Sequence, residues 1–171
     1  MTLTINFEFR KLMLKHNFSL NYCYQCGTCS GGCPIARITE GKYNPRKIME
    51  AAILGFEEKL TEELEPNVWL CTFCQLCVEQ CPQHVDLTEI FLEIKNIAVK
   101  NGKAPDAFHM QAETIMEYGV AVPIGISLTK RREKLGLPAL KPLPIDEVQK
   151  LMESTGFDKL LEISSKKRNG E

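Results

Sequence analysis

The sequence is poor in several residues and patterns on which common protein activities depend. It has three histidines and one tryptophan among 171 residues, and each of its eight cysteines lies in one of two short runs. It contains no Gly-x-Gly-x-x-Gly fingerprint for a dinucleotide or flavin, and no pattern of acid and base residues indicates a catalytic centre. We therefore predict no catalytic residue in this chain.

Long apolar runs and an excess of charge are also missing. The longest mostly apolar stretch, 119–128, is about half the roughly 20 residues that a membrane-spanning helix needs, and it contains Pro123. The formal net charge is −1, so the composition gives no general affinity for nucleic acid or anionic membranes. Residues 1–10 have no basic start followed by an apolar core. We therefore expect no secretory signal, no membrane insertion and a cytoplasmic location, where thiols stay reduced.

The eight cysteines form two runs with identical spacing, each followed by a proline. The runs are Cys23, Cys26, Cys29 and Cys33 before Pro34, and Cys71, Cys74, Cys77 and Cys81 before Pro82. Three cysteines at this spacing can bind three irons of a [4Fe–4S] cluster, and in two-cluster ferredoxins the fourth cysteine of each run ligates the other cluster. This crossed pattern predicts that cluster one is held by Cys23, Cys26, Cys29 and Cys81. It predicts that cluster two is held by Cys71, Cys74, Cys77 and Cys33.

Zinc is the main alternative for the cysteines. Structural zinc sites also use Cys-x2-Cys pairs, and a zinc-stapled binding module would be a protein of a different class. Such sites are usually built from two pairs, whereas both runs here carry three evenly spaced cysteines and a fourth before proline. The spacing therefore favours two [4Fe–4S] clusters, and with them the transfer of single electrons. Metal content distinguishes the two alternatives.

The rest of the sequence predicts helices, with no β-strand pattern between the two runs. Helical periodicity, caps and stops place helices at 5–16, 45–54, 57–64, 105–118 and about 146–155, with a further one between the cap Asp86 and the stop Gly102. Residues 120–145 are Pro-rich and carry the basic group 130–132, which is either a solvated patch or a docking contact for an acidic partner. Residues 166–171 are expected to be disordered. We predict a helical two-cluster domain at 1–104, and a helical, Pro-rich extension for docking onto other subunits at 105–171.

A few other residues could carry chemistry. His16, His84 and His109 have no partner at the spacing of metal ligands, so we interpret each as a surface or packing residue. Trp69 and Phe73 flank the second cysteine run, where they either shield a cluster from water or pack beside the loop.

Three segments resemble the C subunit of heterodisulfide reductase. They are 22–34 (YCYQCGTCSGGCP), 69–77 (WLCTFCQLC) with Cys81-Pro82, and 132–138 (REKLGLP) within the wider stretch 119–138. The resemblance covers most of the chain and matches all eight cysteine positions. It implies an all-α fold of the α-helical ferredoxin type, with two [4Fe–4S] clusters and a helical or irregular C-terminal extension.

The same resemblance implies an electron-transfer role in an oxidoreductase complex. A chain of this family would relay electrons from the A subunit, which contains flavin and iron–sulfur clusters, to the catalytic B subunit. The B subunit would reduce the CoM-S-S-CoB heterodisulfide in methanogenesis, and a hydrogenase or formate dehydrogenase would feed the A subunit. The chain itself would be the non-catalytic subunit of a soluble CoB-CoM heterodisulfide reductase. A homologous relay in a heterodisulfide-reductase-like complex of sulfur or sulfate metabolism is the nearest alternative.

Overall fold

The computed structural model describes residues 4–139 and 143–168, and this part of the chain is all-α. It forms eleven α-helices, and none of the described residues lies in a β-strand. The predicted all-α class is therefore confirmed. The chain divides into two compact units, Met1–Lys103 and Ala104–Glu171. None of the helices in the described ranges combines the length and apolar character that a bilayer-spanning segment requires.

The first unit holds seven α-helices and two short 3₁₀ helices. The α-helices are α1 (Phe7–His16), α2 (Thr28–Gly31), α3 (Pro34–Ile38), α4 (Pro45–Leu54), α5 (Glu57–Thr61), α6 (Leu76–Glu79) and α7 (Leu87–Lys100). The 3₁₀ helices, Phe18–Tyr22 and Val68–Leu70, each come directly before a cysteine run. The two runs therefore begin from equivalent local structures, although the sequences before them differ.

The helix starts predicted from capping residues are confirmed. The Asn44 side chain accepts a hydrogen bond from the Lys47 backbone N–H at 3.1 Å, and Pro45 occupies the first turn of α4. At the start of α7, the Asp86 side chain accepts a hydrogen bond from the Glu89 N–H at 3.2 Å. Each cap satisfies one of the backbone donors that a helix start leaves without an intrahelical partner.

Helix α5 is shorter than the predicted 57–64. It ends at Thr61, and Leu64 adopts a positive φ of 55°, which lies outside the range of a right-handed helix. The Glu65 N–H donates to the Lys59 carbonyl at 3.0 Å, so the chain leaves the helix through a hydrogen-bonded turn.

One hydrophobic core runs through the first unit and reaches both cysteine runs. Helix α7 contributes the apolar buried side chains Leu87, Ile90, Phe91, Ile94, Ile97 and Ala98. Tyr43 packs edge-on against Phe91, with the ring centroids 6.3 Å apart. Cys33 and Cys77 belong to the same buried cluster of residues. The cysteine loops are therefore anchored in the interior of the unit.

The second unit has little core of its own. Its helices are α8 (Asp106–Tyr118), α9 (Ile126–Lys134), α10 (Ile145–Thr155) and α11 (Phe157–Arg168). Among its described residues, only His109 and Ser164 are buried. Large apolar side chains are exposed along it, and they include Val122, Ile126, Leu135, Leu137 and Leu151. The docking role predicted for 105–171 stays a prediction.

Two features of the second unit differ from the sequence expectation. The basic group 130–132 lies in helix α9, inside the stretch that the sequence marked only as Pro-rich. The expected disorder from 166 is wrong as far as Arg168, where α11 ends, and 169–171 lie outside the described residues. Helix α11 was not predicted from the sequence, and near its end the Ser165 hydroxyl lies 2.8 Å from Nε2 of His109.

Candidate metal-cluster site

The eight cysteines line two separate cavities of the first unit. Cavity one has a volume of about 380 Å³ with its open mouth included, and its cysteines are Cys23, Cys26, Cys29 and Cys81. Cavity two has a volume of about 310 Å³ on the same basis, and its cysteines are Cys33, Cys71, Cys74 and Cys77. All eight are free thiols. Each cavity thus combines three cysteines of one run with the last cysteine of the other.

The two cysteine loops share an unusual backbone. Gln25 and Phe73, which precede the second cysteine of each run, have positive φ values of 57° and 54°. Gly27 and Gln75, which follow that cysteine, have φ values of 83° and 63°. Glycine adopts this conformation without strain, but Gln75 does so at a cost of roughly 1–2 kcal/mol. The second loop therefore keeps the shape of the first although it lacks the glycine.

Backbone amides point at the fourth cysteine of each run. Cys33 caps α3, and its Sγ accepts from the Ala36 N–H at 3.5 Å. Cys81 Sγ accepts from the Val85 N–H at 3.4 Å. Hydrogen bonds from N–H groups favour the thiolate, which is the form that ligates iron.

Close packing and long-range hydrogen bonds hold the two runs together. A Cβ atom added at Gly32, after α2, would lie 1.9 Å from Oε1 of Gln80, after α6. The Asn17 side-chain amide donates to the Asp86 carbonyl at 3.1 Å, and the Asp86 N–H donates to the Ser19 hydroxyl at 3.2 Å. These last bonds tie the segment after Cys81 to the segment before the first run, so they keep the fourth thiol of cavity one in place.

The thiols differ in their ease of ionisation. Hydrogen bonds to Thr28, with Sγ and Oγ1 3.3 Å apart, lower the pKa of the exposed Cys26 thiol. Burial raises the pKa of Cys29 and raises that of Cys77 to about 12. A thiolate in these buried positions needs a nearby positive charge, and iron bound by soft sulfur ligands supplies it. The donor set of both cavities therefore fits iron–sulfur clusters.

Two residues beside cavity two were missed by the sequence analysis. Tyr43 is buried and lines the cavity. Burial, and secondly its hydrogen bond to Cys71, raise the pKa of its hydroxyl, which stays a protonated donor. Lys95 is 7% exposed, and its Nζ lies 3.5 Å from the Cys71 carbonyl oxygen. The available signal for Lys95 was a charge four residues after Phe91 on the apolar face of α7.

The aromatic residues that flank the second run both contact Lys95. Its Nζ lies 4.1 Å from the ring centroid of Phe73 and 5.3 Å from that of Trp69. These distances are within the range of cation–π attraction. Burial lowers the pKa of Lys95, and the Cys71 thiolate opposes this shift.

Among the residues that the structure describes, the histidines and acidic residues form no second site. No histidine of the described residues lines either cavity. His109 is buried beside Ser165 and Glu113, whereas His16 lies 3.7 Å from Glu93. Within residues 4–139 and 143–168, no three His, Cys, Asp or Glu side chains are grouped so that they could hold a single metal ion.

Comparison with known proteins identifies the cofactor. The 4Fe-4S dicluster domain family matches residues 19–85, a range that contains all eight cysteines. The chain therefore carries two [4Fe–4S] clusters, as predicted.

Named relatives cover most of the chain. The iron-sulfur C 2 subunit of CoB–CoM heterodisulfide reductase from Methanocaldococcus jannaschii is 37% identical over 162 residues, which cover 90% of this chain and 84% of the relative. The C subunit of H(2):CoB-CoM heterodisulfide,ferredoxin reductase from Methanothermobacter marburgensis is 35% identical over 149 residues, which cover 84% and 78%. The C subunit of ferredoxin:CoB-CoM heterodisulfide reductase from Methanosarcina mazei is 31% identical over 159 residues, which cover 90% and 96%.

Proposed function

The chain belongs to the family of heterodisulfide reductase C subunits, and on that premise we propose that it relays electrons between two other subunits of such a complex. The donor would be the flavin-containing, iron–sulfur A subunit. The acceptor would be the catalytic B subunit, which reduces the CoM-S-S-CoB heterodisulfide. A hydrogenase or formate dehydrogenase would supply the A subunit. The complex would be cytoplasmic and would work without membrane insertion, and the chain would be its non-catalytic subunit.

One observation carries the proposal: each cavity is lined by cysteines of both runs. Cavity one joins Cys81 to the first run, and cavity two joins Cys33 to the second run. This arrangement supports crossed ligation, in which neither cluster is complete without the other run. [4Fe–4S] clusters accept and donate single electrons. Crossed ligation would keep the two clusters close enough for an electron to pass between them.

The chain's own residues would hold and insulate the clusters. Thiolates of both runs bind iron, and the amides of Ala36 and Val85 stabilise the negative charge on the fourth sulfur of each run. The buried Tyr43 ring and the Ile35 side chain line cavity two and limit the access of water to it. The exposed apolar side chains of the second unit support a docking role, because large exposed apolar patches mark interaction surfaces.

Crossed ligation is tested with two pairs of cysteine variants. In each pair, one variant removes a cysteine whose cluster is not in doubt, so its spectrum identifies that cluster. We expect Cys33→Ala to change the same electron paramagnetic resonance signal as Cys74→Ala. Cys81→Ala should change the same signal as Cys26→Ala. If instead Cys33→Ala matched Cys26→Ala, each run would complete its own cluster and the crossing would be wrong.

The relay is tested by rapid mixing with the separate subunits. The chain is reduced, separated from dithionite and kept free of oxygen. It is then mixed with the heterodisulfide and the B subunit, and the return of cluster absorbance measures its reoxidation. We expect rapid reoxidation only in the joint presence of the heterodisulfide and the B subunit. Equal reoxidation with the B subunit omitted would contradict the relay. Reoxidation by the B subunit with another disulfide, and not with CoM-S-S-CoB, would assign the chain to a related complex.

A further inference from the structure

A buried positive charge lies next to Cys71, one of the cysteines that line cavity two. Lys95 belongs to α7, and its Nζ lies 3.5 Å from the Cys71 carbonyl oxygen and over the rings of Phe73 and Trp69. The residue as a whole is 7% exposed, so little of its side chain is accessible to water. A buried ammonium destabilises a fold strongly unless an anion faces it.

No carboxylate in the described ranges forms an ion pair with Lys95. Its Nζ contacts the backbone carbonyl of Cys71, so the sulfur of this cysteine of the second run lies near the ammonium group. A [4Fe–4S] core with four thiolates carries about two negative charges when oxidised and about three when reduced. The bound cluster would therefore supply the missing anion.

We propose that Lys95 is a fixed counter-charge that favours the reduced state of cluster two and so biases a transferred electron toward that cluster. The attraction grows on reduction, because reduction adds one negative charge to the cluster, and the low exposure of Lys95 limits the screening of its charge by water. The step is a one-electron reduction, in which the flavin-containing donor subunit supplies the electron and no bond breaks. Lys95 acts on the redox equilibrium of cluster two through its charge alone.

The cation that lines cavity one is more exposed to water and has a carboxylate beside it. Arg46 lines cavity one, but its side chain is 43% exposed, and its guanidinium lies 4.0 Å from the Glu50 carboxylate. Water and the neighbouring carboxylate both reduce the field that Arg46 exerts on cluster one. The two clusters therefore differ in electrostatic surroundings although their cysteine spacing is the same.

The test compares the full-length, cluster-loaded chain with three variants in a redox titration followed by electron paramagnetic resonance. Lys95→Met removes the charge and keeps the length, whereas Lys95→Arg keeps the charge. Lys100→Met removes a charge from an exposed site of the same helix, about 7.5 Å further along the axis and about 140° around it. The signal of cluster two is identified by its change in Cys74→Ala.

We expect Lys95→Met to lower the reduced-to-oxidised ratio of cluster two at least about tenfold at a fixed potential, which equals about 59 mV for one electron. The ratio for cluster one should change less, and Lys95→Arg and Lys100→Met should stay within about threefold of the unaltered chain. A Lys95→Met ratio within twofold of the unaltered chain would overturn the proposal. So would an equal shift in Lys95→Arg, because packing rather than charge would then be responsible.

Iron and sulfide are counted in every variant, so loss of a cluster is distinguished from a change in its potential. If Lys95→Met loses cluster two, Lys95→Gln replaces it, because the amide keeps a hydrogen-bond donor without the charge. The inference rests on the proposed function only for the direction of electron flow. The potentials are measured on the isolated chain, so failure of the relay and failure of the Lys95 proposal remain distinguishable.

Discussion

Asn17 and Asn67 offer a matched test of the long-range hydrogen bond between Asn17 and Asp86, which lies beside cavity one. Each caps the 3₁₀ helix before a cysteine run, and each accepts from a backbone N–H two residues on, at 3.0 Å for Asn17 and 2.9 Å for Asn67. Asn17 also accepts from the Ser19 hydroxyl and donates to the Asp86 carbonyl at 3.1 Å. Replacing either asparagine with alanine removes a cap, but only Asn17→Ala also breaks the long-range tie.

The expected magnitudes follow from these bonds. Loss of a cap costs about 1 kcal/mol, and each further neutral hydrogen bond contributes about 0.5–1.5 kcal/mol. We therefore expect Asn17→Ala to lower the free energy of local opening by about 2–4 kcal/mol and Asn67→Ala by about 1 kcal/mol. The difference, about 1–3 kcal/mol, corresponds to about a 5- to 150-fold difference in the opening equilibrium.

The rate of iron release to a chelator under anaerobic conditions measures this opening. Cluster loss makes global unfolding irreversible, so a rate is more informative than a melting curve. In Asn17→Ala, iron should leave cluster one first, because the tie holds the segment that carries Cys81. Electron paramagnetic resonance during the release identifies which cluster is lost.

Two outcomes would refute this reasoning. If Asn17→Ala and Asn67→Ala released iron at the same rate, the bonds to Asp86 and Ser19 would contribute nothing to the site. If cluster two were lost first in Asn17→Ala, the tie would not act on Cys81.

Two further predictions concern the core and cavity two. Gly55→Ala should speed iron release on heating more than Gly41→Ala does. Both glycines have positive φ, but only at Gly55 would the new Cβ lie 2.6 Å from the Asn6 carbonyl oxygen, and we expect an excess cost of about 1–3 kcal/mol. Equal release rates would contradict this. Tyr43→Phe removes the hydrogen bond to Cys71, worth about 1.5–3 kcal/mol to a charged acceptor, so redox titration should show a lower potential for cluster two by at most about 130 mV. A rise in that potential would show that the hydroxyl does not stabilise the reduced cluster.

Local sequence signals predicted the parts of the fold that depend on a few neighbouring residues. Asn44 with Pro45, and Asp86 with Glu89, marked helix starts because the capping bonds join residues three positions apart. The predicted end of α5 is wrong, and α11 was not predicted. Leu64 takes a conformation that its side chain does not favour, and a contact with His109, 56 residues away, accompanies the last turns of α11.

The sequence by itself determined the cofactor chemistry of this protein. Eight thiols in two identical runs define the type and number of clusters, because ligand spacing is a local property of the chain. The assignment of Cys33 and Cys81 to opposite clusters also began as a sequence prediction, and it stays a prediction until the cysteine variants are measured.

Only the tertiary structure decided what surrounds the cysteines. Tyr43 and Lys95 reach Cys71 across 28 and 24 positions in the chain, and Asn17 reaches Asp86 across 69. No periodicity or spacing encodes such contacts, because they arise when separate helices pack into one core. The sequence therefore establishes that clusters are bound, whereas the packing of α7 against the second run places Lys95 beside Cys71, Phe73 and Trp69.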